Sequence, residues 1–361
     1  MSKAAELAAL IGSQTAQGNK NFIINGAMQV AQRATSVSSV TSSGYNSLDR
    51  HNINISSAGT WTISQSTTAP TGFSTSMKFD CTTADGSLSA SDYLFFEHKI
   101  EAQNLQQLSY GTSSAKNLTL SFYVRSNKTG TYVSEFQHGD AGSNYWNNNT
   151  YTIDSADTWE KKTITISGQT AAAINNDNGI GLYVRLWLAA GTDYSSGSIT
   201  NDTWHQTATN RAAGQVNLAD STSNEWYITG VQLEIGDVAT PFEHEDFGTT
   251  LAKCQRYYQK SYDYSVAPAT STQVGATYQT TDAAGNYASA GYTHFSVRMR
   301  ATPTITSYDF GGNSGKIRGG ADDVAVYIQA PSENGFGNYV NNVSSGAGAG
   351  IAIHYEAAAE I

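Results

Sequence analysis

Short stretches of alternating apolar and polar residues recur along most of this chain, and Ser, Asn, Asp or Gly clusters separate them. In LTLSFYVR, residues 118–125, the apolar side chains share one parity and leave Tyr123 and Arg125 on the other. Such alternation predicts strands with one face in a core. The predicted strands span residues 61–65, 76–81, 93–100, 118–125, 131–136, 159–166, 180–188 and 225–234. Eight or more short strands with this punctuation predict a β-sandwich of the jelly-roll kind.

The pattern changes after residue 236, and this change predicts a domain boundary. Gly236 and Pro241 end the last sandwich strand, and a helical patch follows at residues 247–258. Beyond it, further strands are predicted at residues 274–280, 294–300, 324–329 and 351–356. The predicted organisation is therefore mainly β. Residues 1–20 form an anchor helix and linker, residues 21–245 the jelly roll, and residues 246–361 a smaller β-rich domain opened by the short helix.

The N-terminus carries a helix candidate at residues 3–11. Leu7, Leu10 and Ile11 form one apolar stripe, and Gly12 ends the pattern. A helix this short is unstable alone in water, so it needs partners, either copies of itself around an axis or a socket on another protein. A disordered start is the alternative.

Several segments carry a resemblance to a known class of proteins. GVQLEIGDVATPFEH, CQRYY, the opening NFIINGAMQVAQR and the later RMRATP resemble segments of tail-fibre and related receptor-binding virion proteins of tailed bacteriophages. Leu48-Asp49-Arg50 follows the same pattern, except that His51 replaces its aromatic residue. Read by itself, Asn25-Gly26 in the opening predicts a two-residue hairpin turn.

The resemblance implies a homotrimer made in the host cytoplasm and built into the virion through its N-terminus. It would adsorb to a host glycan or an outer-membrane receptor. The alternative function is a structural virion component, such as a head fibre, a decoration protein or a tail adaptor.

Composition narrows the partners. The net charge is −10, and no basic stripe is visible, which disfavours nucleic acid and anionic membranes. The sequence contains no run of 18 apolar residues, so no membrane span is predicted. Cys81 and Cys254 lie too far apart for a CxxC motif, so both are predicted to be reduced and buried.

Motifs for catalysis or metal binding are incomplete. His244-Glu245 begins a zinc motif, but Gly248 stands where the second histidine is needed. Thr229-Gly230 occupies the place where jelly-roll carbohydrate modules commonly carry a calcium-binding acidic pair. The sequence therefore predicts no enzyme, no cofactor and no metal, with a structural calcium held by Glu234 or nearby carbonyls as the alternative. A polysaccharide depolymerase stays open as a third alternative, because paired carboxylates are often distant in sequence.

Two strands show an unusual outward face, which predicts a binding surface. Tyr123 and Arg125 on one strand, and Tyr183, Arg185 and Trp187 on another, would form an aromatic and cationic platform for a glycan. The alternative is that these side chains pack against a neighbouring subunit or under the long polar segment 189–220. Tyr145 and Trp146, in a polar loop, are a second candidate.

Overall fold

The computed structural model describes residues 20–140, 142, 144–280, 288–319, 322–340 and 350–361. The predicted N-terminal helix with Leu7, Leu10 and Ile11 lies outside these residues. The chain divides into two compact units. The first comprises the residues up to Gln29, Thr35–Asp246 and Ile361, and the second comprises Val30–Ala34 and Phe247–Glu360.

The first unit is built from twelve strands in the described residues, together with short helical turns. The strands are β1 (Ser36–Val40), β2 (His51–Ser56), β3 (Thr60–Ser66), β4 (Ser76–Thr83), β5 (Tyr93–Glu101), β6 (Leu118–Ser126), β7 (Gly130–His138), β8 (Trp146–Ile153), β9 (Glu160–Ile166), β10 (Ile180–Ala190), β11 (Trp204–His205) and β12 (Glu225–Ile235). One α-helical turn spans Thr192–Ser195, and 3-10 helices span Ala102–Leu108, Ala208–Asn210 and Leu218–Asp220.

These strands form two six-stranded antiparallel sheets. The first sheet has the order β1-β3-β4-β12-β6-β9, and the second has the order β11-β8-β7-β10-β5-β2. Between β4 and β12, successive strands lie in different sheets, with two exceptions. Strand β8 follows β7 in the same sheet, and the short β11 follows β10 in the same sheet. The resulting neighbours, β4-β12-β6-β9 and β5-β10-β7-β8, are those of a jelly roll. The predicted mainly β, jelly-roll fold is confirmed.

The core of this unit lies between the sheets, where the inward parity of each strand is apolar. Phe96 of β5 and Trp226 of β12 meet across it, with 6.4 Å between their ring centroids. Phe122 of β6 and Tyr151 of β8 do the same at 5.3 Å. All four side chains are at least nine-tenths buried. The outward parity of each sheet is therefore left for other contacts.

The opening segment does not form the predicted hairpin. Residues 21–32 contain no strand; a turn closes where the Met28 amide donates to the Asn25 carbonyl at 2.9 Å. The segment docks on β12 instead, since the Val231 amide donates to the Gly26 carbonyl at 2.9 Å. A Cβ on Gly26 would lie 2.1 Å from the Val231 carbonyl oxygen, so the glycine serves this close approach rather than a hairpin.

The second unit opens with an α-helix, Phe247–Gln255, close to its predicted position. Its described strands are β13 (Tyr258–Lys260), β14 (Thr277–Thr280), β15 (Ala288–His294), β16 (Thr304–Tyr308), β17 (Lys316–Gly319), β18 (Asp322–Ser332), β19 (Gly335–Val340) and β20 (Gly350–Ala358). Strand β20 is central, pairing with β13 and β16 along one half and with β14 and β17 along the other.

One predicted strand of this unit is wrong. Residues 295–300 do not continue β15, although their side chains alternate. Their amides bond to a loop instead: Phe295 donates to the Asn334 carbonyl at 2.9 Å and Met299 to the Glu333 carbonyl at 2.8 Å. Met299 is fully buried with Phe336 and Ile353, so apolar alternation here reflects core packing without a ladder.

Candidate functional site

The five residues of the predicted platform lie on opposite faces of the sandwich. Tyr123 and Arg125 belong to β6 in the first sheet, whereas Tyr183, Arg185 and Trp187 belong to β10 in the second. Outward side chains of two packed sheets point in opposite directions. The prediction of one continuous platform is therefore wrong, and each face must be considered separately.

On the outer face of the second sheet, Arg185 is part of a buried ion network. Its Nε lies 2.6 Å from a Glu97 carboxylate oxygen, and its Nη1 lies 2.7 Å from Glu135. Arg211 adds a bidentate contact to Glu135, with both N–O distances at 2.8 Å. The arginine is thereby engaged inside the protein rather than presented to a ligand.

The charges of this network determine the pKa of the Glu135 carboxyl. Burial by itself would raise the pKa of the Glu135 carboxyl, but the charges and hydrogen bonds of Arg211 and Arg185 outweigh it and lower the pKa to about 2. Asn148 also donates to this carboxylate, at 3.1 Å. The network is thus satisfied without a ligand.

A long excursion between β10 and β12 covers Trp187. The indole is fully buried, and its ring centroid lies 4.9 Å from Phe95 and 5.4 Å from Tyr194 of the excursion. The Arg211 guanidinium, also from the excursion, lies 5.1 Å from the same ring. Packing under this segment, one of the two alternatives open from the sequence, is what the structure shows. Trp187 is not a surface residue.

The second candidate pair also belongs to this face. Trp146 opens β8 rather than a loop; it is 6% exposed and lies under Arg211 at 4.9 Å. The polar residues that follow it form a strand because their side chains bond to the excursion: Asn148, for example, donates to the Arg211 carbonyl at 2.7 Å. Tyr145 is half-buried beside it, and Tyr183 stays half-buried with Arg185 at 4.4 Å from its ring.

The outer face of the first sheet is arranged differently. Arg125 is held at its margin: its guanidinium donates to the carbonyl and the carboxylate of Asp157, both at 2.9 Å, and lies 5.0 Å from the Tyr227 ring. Tyr123, two residues earlier on the same face, lines a groove that extends away from this pair. Of the five platform residues, Tyr123 alone lines that groove.

The floor of the groove is set by strand register. Tyr123 pairs with Lys161 of β9 on one side and with Thr229 of β12 on the other, so the three side chains share one row. Ser121, two residues before Tyr123, begins the next row beside Gln232. Tyrosine, serine and lysine thus stand together because they take the outward parity of neighbouring strands.

The walls of the groove come from two loops that carry aromatic rings. Phe73, in the loop before β4, lies 5.4 Å from Tyr123 and 5.0 Å from Phe242 between ring centroids. His244 completes the group, 5.2 Å from Phe73 and 4.9 Å from Phe242. These distances fall in the range of favourable ring pairs, so the four rings hold one another in place.

Gly230 allows the rings to lie against the sheet. It sits in a bulge of β12, between the pairs Thr229–Tyr123 and Gln232–Ser121, with φ of +61°. A Cβ at this position would lie 2.6 Å from the Phe73 ring and 3.0 Å from the Tyr123 ring. Both the left-handed backbone and the close ring approach require glycine.

The groove encloses about 470 Å³, within the usual range of small-ligand sites. Its lining residues are Thr71, Gly72, Phe73, Ser121, Tyr123, Lys161, Gly230, Ala239, Pro241, Phe242 and His244. The aromatic rings offer apolar faces, while the serine hydroxyl, the lysine amine and the imidazole offer hydrogen bonds. None of the lining residues carries a carboxylate.

No metal centre is evident among the residues with described placement. That part of the chain holds no group of three or more His, Cys, Asp or Glu arranged for a metal ion. Thr229 and Gly230 take the place where jelly-roll carbohydrate modules commonly carry calcium-binding acids. Thr229 is buried on β12, and the rings of Phe73 and Tyr123 lie against Gly230. Cys81 and Cys254 are both buried free thiols. None of the described helices is long and apolar enough to cross a membrane.

Comparisons with known proteins give structural likenesses only. No protein-family model matches the chain, and no curated protein does. The enzymatically active domain of tailspike protein 4 of bacteriophage CBA120 matches over 60% of this chain and 22% of that one, at 12% identity and a TM-score of 0.32. The chain thus spans about a fifth of that tailspike domain.

Two carbohydrate-binding modules of Clostridium thermocellum match as well. The C-terminal family 22 module of Xyn10B covers 62% of this chain and 99% of its own, at 10% identity and a TM-score of 0.31. The family 11 module of the cellulase Lic26A-Cel5E matches over 56% of this chain and 99% of the module, at 12% identity and a TM-score of 0.28. At such low TM-scores these likenesses carry no argument, and the functional case rests on the chain's own residues.

Sequence reasoning missed most of the groove. Phe73, Phe242 and His244 lie in loops, where no periodicity marks a side chain as part of a site. One signal was available: Gly230 interrupts an otherwise regular strand, and an isolated glycine in a strand indicates a bulge or a close approach. Here it marked the place where two loops bring their rings onto the sheet.

Proposed function

We propose that this protein binds glycans without cleaving them, and that the groove over Tyr123 holds the sugar. The observation that carries the proposal is the four-ring groove on the outer face of the first sheet. A pyranose ring has flat faces of C–H groups that stack on aromatic rings, and hydroxyls at its edge. The rings of Phe73, Tyr123 and Phe242 can stack on the faces of the sugar. Ser121 and Lys161 can form hydrogen bonds with the hydroxyls at its edge.

The size and chemistry of the groove fit this ligand class. Its volume of about 470 Å³ suits a short stretch of a glycan chain. Glycoside cleavage generally needs two carboxyl groups flanking the bond. The lining residues supply none, which supports a binding role over the depolymerase alternative.

The biological setting follows from the sequence resemblance, and we propose it on that basis. The protein would be a fibre of a tailed bacteriophage, assembled as a homotrimer and attached to the virion by its N-terminus. The groove would then adsorb the particle to a polysaccharide of the host surface. The structural alternative, a head fibre, decoration protein or adaptor, needs no glycan groove.

A glycan array tests the proposal directly. The full-length protein is applied to printed bacterial surface polysaccharides, next to the variants Phe73→Ala and Phe242→Ala. We expect discrete binding by the wild-type protein and its loss, by about tenfold or more, in both variants, because each removes a stacking face. Tyr227→Ala, on the same sheet face outside the groove, is the matched control and should bind normally.

Two other outcomes would separate the alternatives. Absence of binding to any polysaccharide by a folded wild-type protein would contradict the glycan role and favour the structural one. Release of oligosaccharides from a bound polysaccharide, detected by mass spectrometry, would restore the depolymerase reading and overturn the non-enzymatic part of the proposal.

A further inference from the structure

The second unit contains a groove of its own, remote in sequence from the one in the sandwich. It encloses about 430 Å³. Its lining residues are Ser271, Thr272, Gln273, Phe310, Gly311, Arg318 and Asp323. Nothing in the glycan-binding role proposed for the sandwich uses these residues, so the groove needs a separate explanation.

Strand register places two of the lining residues, Arg318 and Asp323, side by side. Tyr278 of β14 and Arg318 of β17 both pair with Ala352 of β20, one from each side, and Arg318 pairs in turn with Asp323 of β18. Paired residues point to the same face of a sheet. The row therefore reads tyrosine, alanine, arginine, aspartate, and its arginine and aspartate line the groove.

One side of the groove is aromatic: Phe310 lines it, and Tyr278 lies beside Phe310. The Tyr278 ring is 63% exposed and lies 6.2 Å from the Phe310 ring. Phe310 sits in a fixed turn, because the Asp309 carboxylate accepts from the Gly311 and Asn313 amides at 2.8 and 2.9 Å. The Ser271 hydroxyl also donates to the Phe310 carbonyl, at 3.1 Å. An exposed tyrosine beside an anchored phenylalanine is a preorganised stacking surface.

The other side is an ion pair open to solvent. Arg318 Nη1 lies 3.1 Å from an Asp323 carboxylate oxygen, and the two side chains are 34% and 31% exposed. An exposed pair of this kind contributes little to stability, at most about 1 kcal/mol. Chemically, it presents guanidinium donors next to carboxylate acceptors, which is what a hydroxyl that both donates and accepts requires.

We infer that this groove is a second carbohydrate site, specific for an uncharged pyranose. The sugar stacks on Tyr278 and Phe310, and two adjacent hydroxyls bond to Arg318 and Asp323. Because the two charges of the pair cancel, the site has no excess cation for a carboxylated sugar. The inference does not depend on the sandwich groove, and a chain with both sites would hold a polysaccharide at two points, gaining avidity.

Saturation-transfer NMR on the full-length protein tests the inference. The probes are the methyl glycosides of glucose, galactose and mannose, with methyl glucuronide as the acidic counterpart. We expect saturation of the C–H protons of at least one neutral glycoside. Phe310→Ala and Asp323→Asn should each weaken that binding by about tenfold or more, since one removes a stacking face and the other weakens an acceptor.

The controls keep the two grooves apart. Phe73→Ala disrupts the sandwich groove only, so the signal assigned to the second unit should persist in it. Asp193→Ala, at an exposed position of the excursion and more than 30 residues in sequence from any lining residue of either groove, guards against general effects of substitution. Three results would each overturn the inference: no neutral glycoside binds, the glucuronide alone binds, or all binding is lost in Phe73→Ala and kept in Phe310→Ala and Asp323→Asn.

Discussion

The two outer faces of the sandwich carry similar residues and use them in opposite ways. On the second sheet, Arg185 and Trp187 are closed off by an ion network and by the excursion that brings Arg211. On the first sheet, Tyr123 and its neighbours line an open groove, with aromatic rings from two loops. Outward aromatic residues on an alternating strand thus identify a face that makes further contacts. Whether a segment of the same protein covers that face depends on the loops around it.

Comparing the faces also shows where charge is tolerated. Glu97, Glu135 and Arg185 are buried, and Arg211 is largely buried, because the four charges satisfy one another. The groove, by contrast, is lined by aromatic rings, a serine hydroxyl, a lysine amine and an imidazole, without any carboxylate. The second face stabilises the fold, and the first face is the one that we propose for binding.

Removing an aromatic residue from each face gives the largest expected contrast. Trp187→Ala should lower the free energy of unfolding by about 3–5 kcal/mol, the usual cost of truncating a fully buried large aromatic residue. Tyr123→Ala, at a half-buried position, should cost about 1 kcal/mol. Urea unfolding followed by tryptophan fluorescence is the measurement, and all six tryptophans lie in the sandwich. Equal losses would contradict the assignment of the two faces.

The ion network gives the next effect. Glu135→Ala leaves the buried Arg185 and the largely buried Arg211 without their shared carboxylate, and breaking a buried pair in this way costs about 3–5 kcal/mol. Asp157→Ala is the matched control on the other face, because its carboxylate is 57% exposed and bonds to Arg125. It should cost less than about 1 kcal/mol. A stable Glu135→Ala protein would show that the second face is not held by its charges.

Acid should weaken the second sheet through two buried histidines. Burial lowers the pKa of His51 to about 4, with Arg50 adding to the effect and the Asn25 carbonyl opposing it. Burial also lowers the pKa of His98, which pairs with His51 across β2 and β5. The unfolded chain then binds more protons below pH 6.5, so stability is complete above that pH and falls below it.

The expected slope is about 1.4 kcal/mol per pH unit for each histidine that stays neutral in the folded state. Urea unfolding at pH 6.5, 5.8 and 5.0 measures it, in a window that avoids the Glu135 carboxyl. A flat profile between pH 6.5 and 5.0 would mean that the two histidines are not neutral in the fold.

A smaller effect is expected at the bulge under the groove. Gly230→Ala places a side chain in a left-handed conformation and against the Phe73 ring, at a cost of roughly 1–2 kcal/mol. Gly214→Ala separates the two causes, since it has φ of +83° and no atom within 4 Å of the added Cβ. The Gly230 variant should also lose glycan binding. If it binds as the wild-type protein does, the rings do not need their present position.

The sequence predicted the jelly roll because alternation in strands such as β6 and β10 reports directly on a one-sided core. It did not predict β8, whose Asn147, Asn148 and Asn149 look like loop residues. Their side chains are satisfied by residues of the excursion more than fifty positions away, a contact with no local signal. The prediction that Trp187 lies on the surface was wrong for the same reason, because the residues that cover it are distant in sequence.

The groove shows the same limit. Tyr123 was found because it lies on a regular strand, and its neighbours Lys161 and Ser121 follow once the strand register is known. Phe73 and Phe242 come from loops separated by about 170 residues in sequence, and their meeting depends on the order of strands in the first sheet. Periodicity finds a face, whereas topology is needed to find a site.

The most direct test of the account compares one tyrosine from each face. Titration calorimetry is run with a polysaccharide fragment that the wild-type protein binds on the array, using Tyr123→Ala and Tyr183→Ala as matched truncations. The groove predicts that Tyr123→Ala weakens binding by about tenfold or more and that Tyr183→Ala leaves the Kd unchanged. Loss of binding in Tyr183→Ala, with Tyr123→Ala unaffected, would place the glycan on the second face and contradict the account.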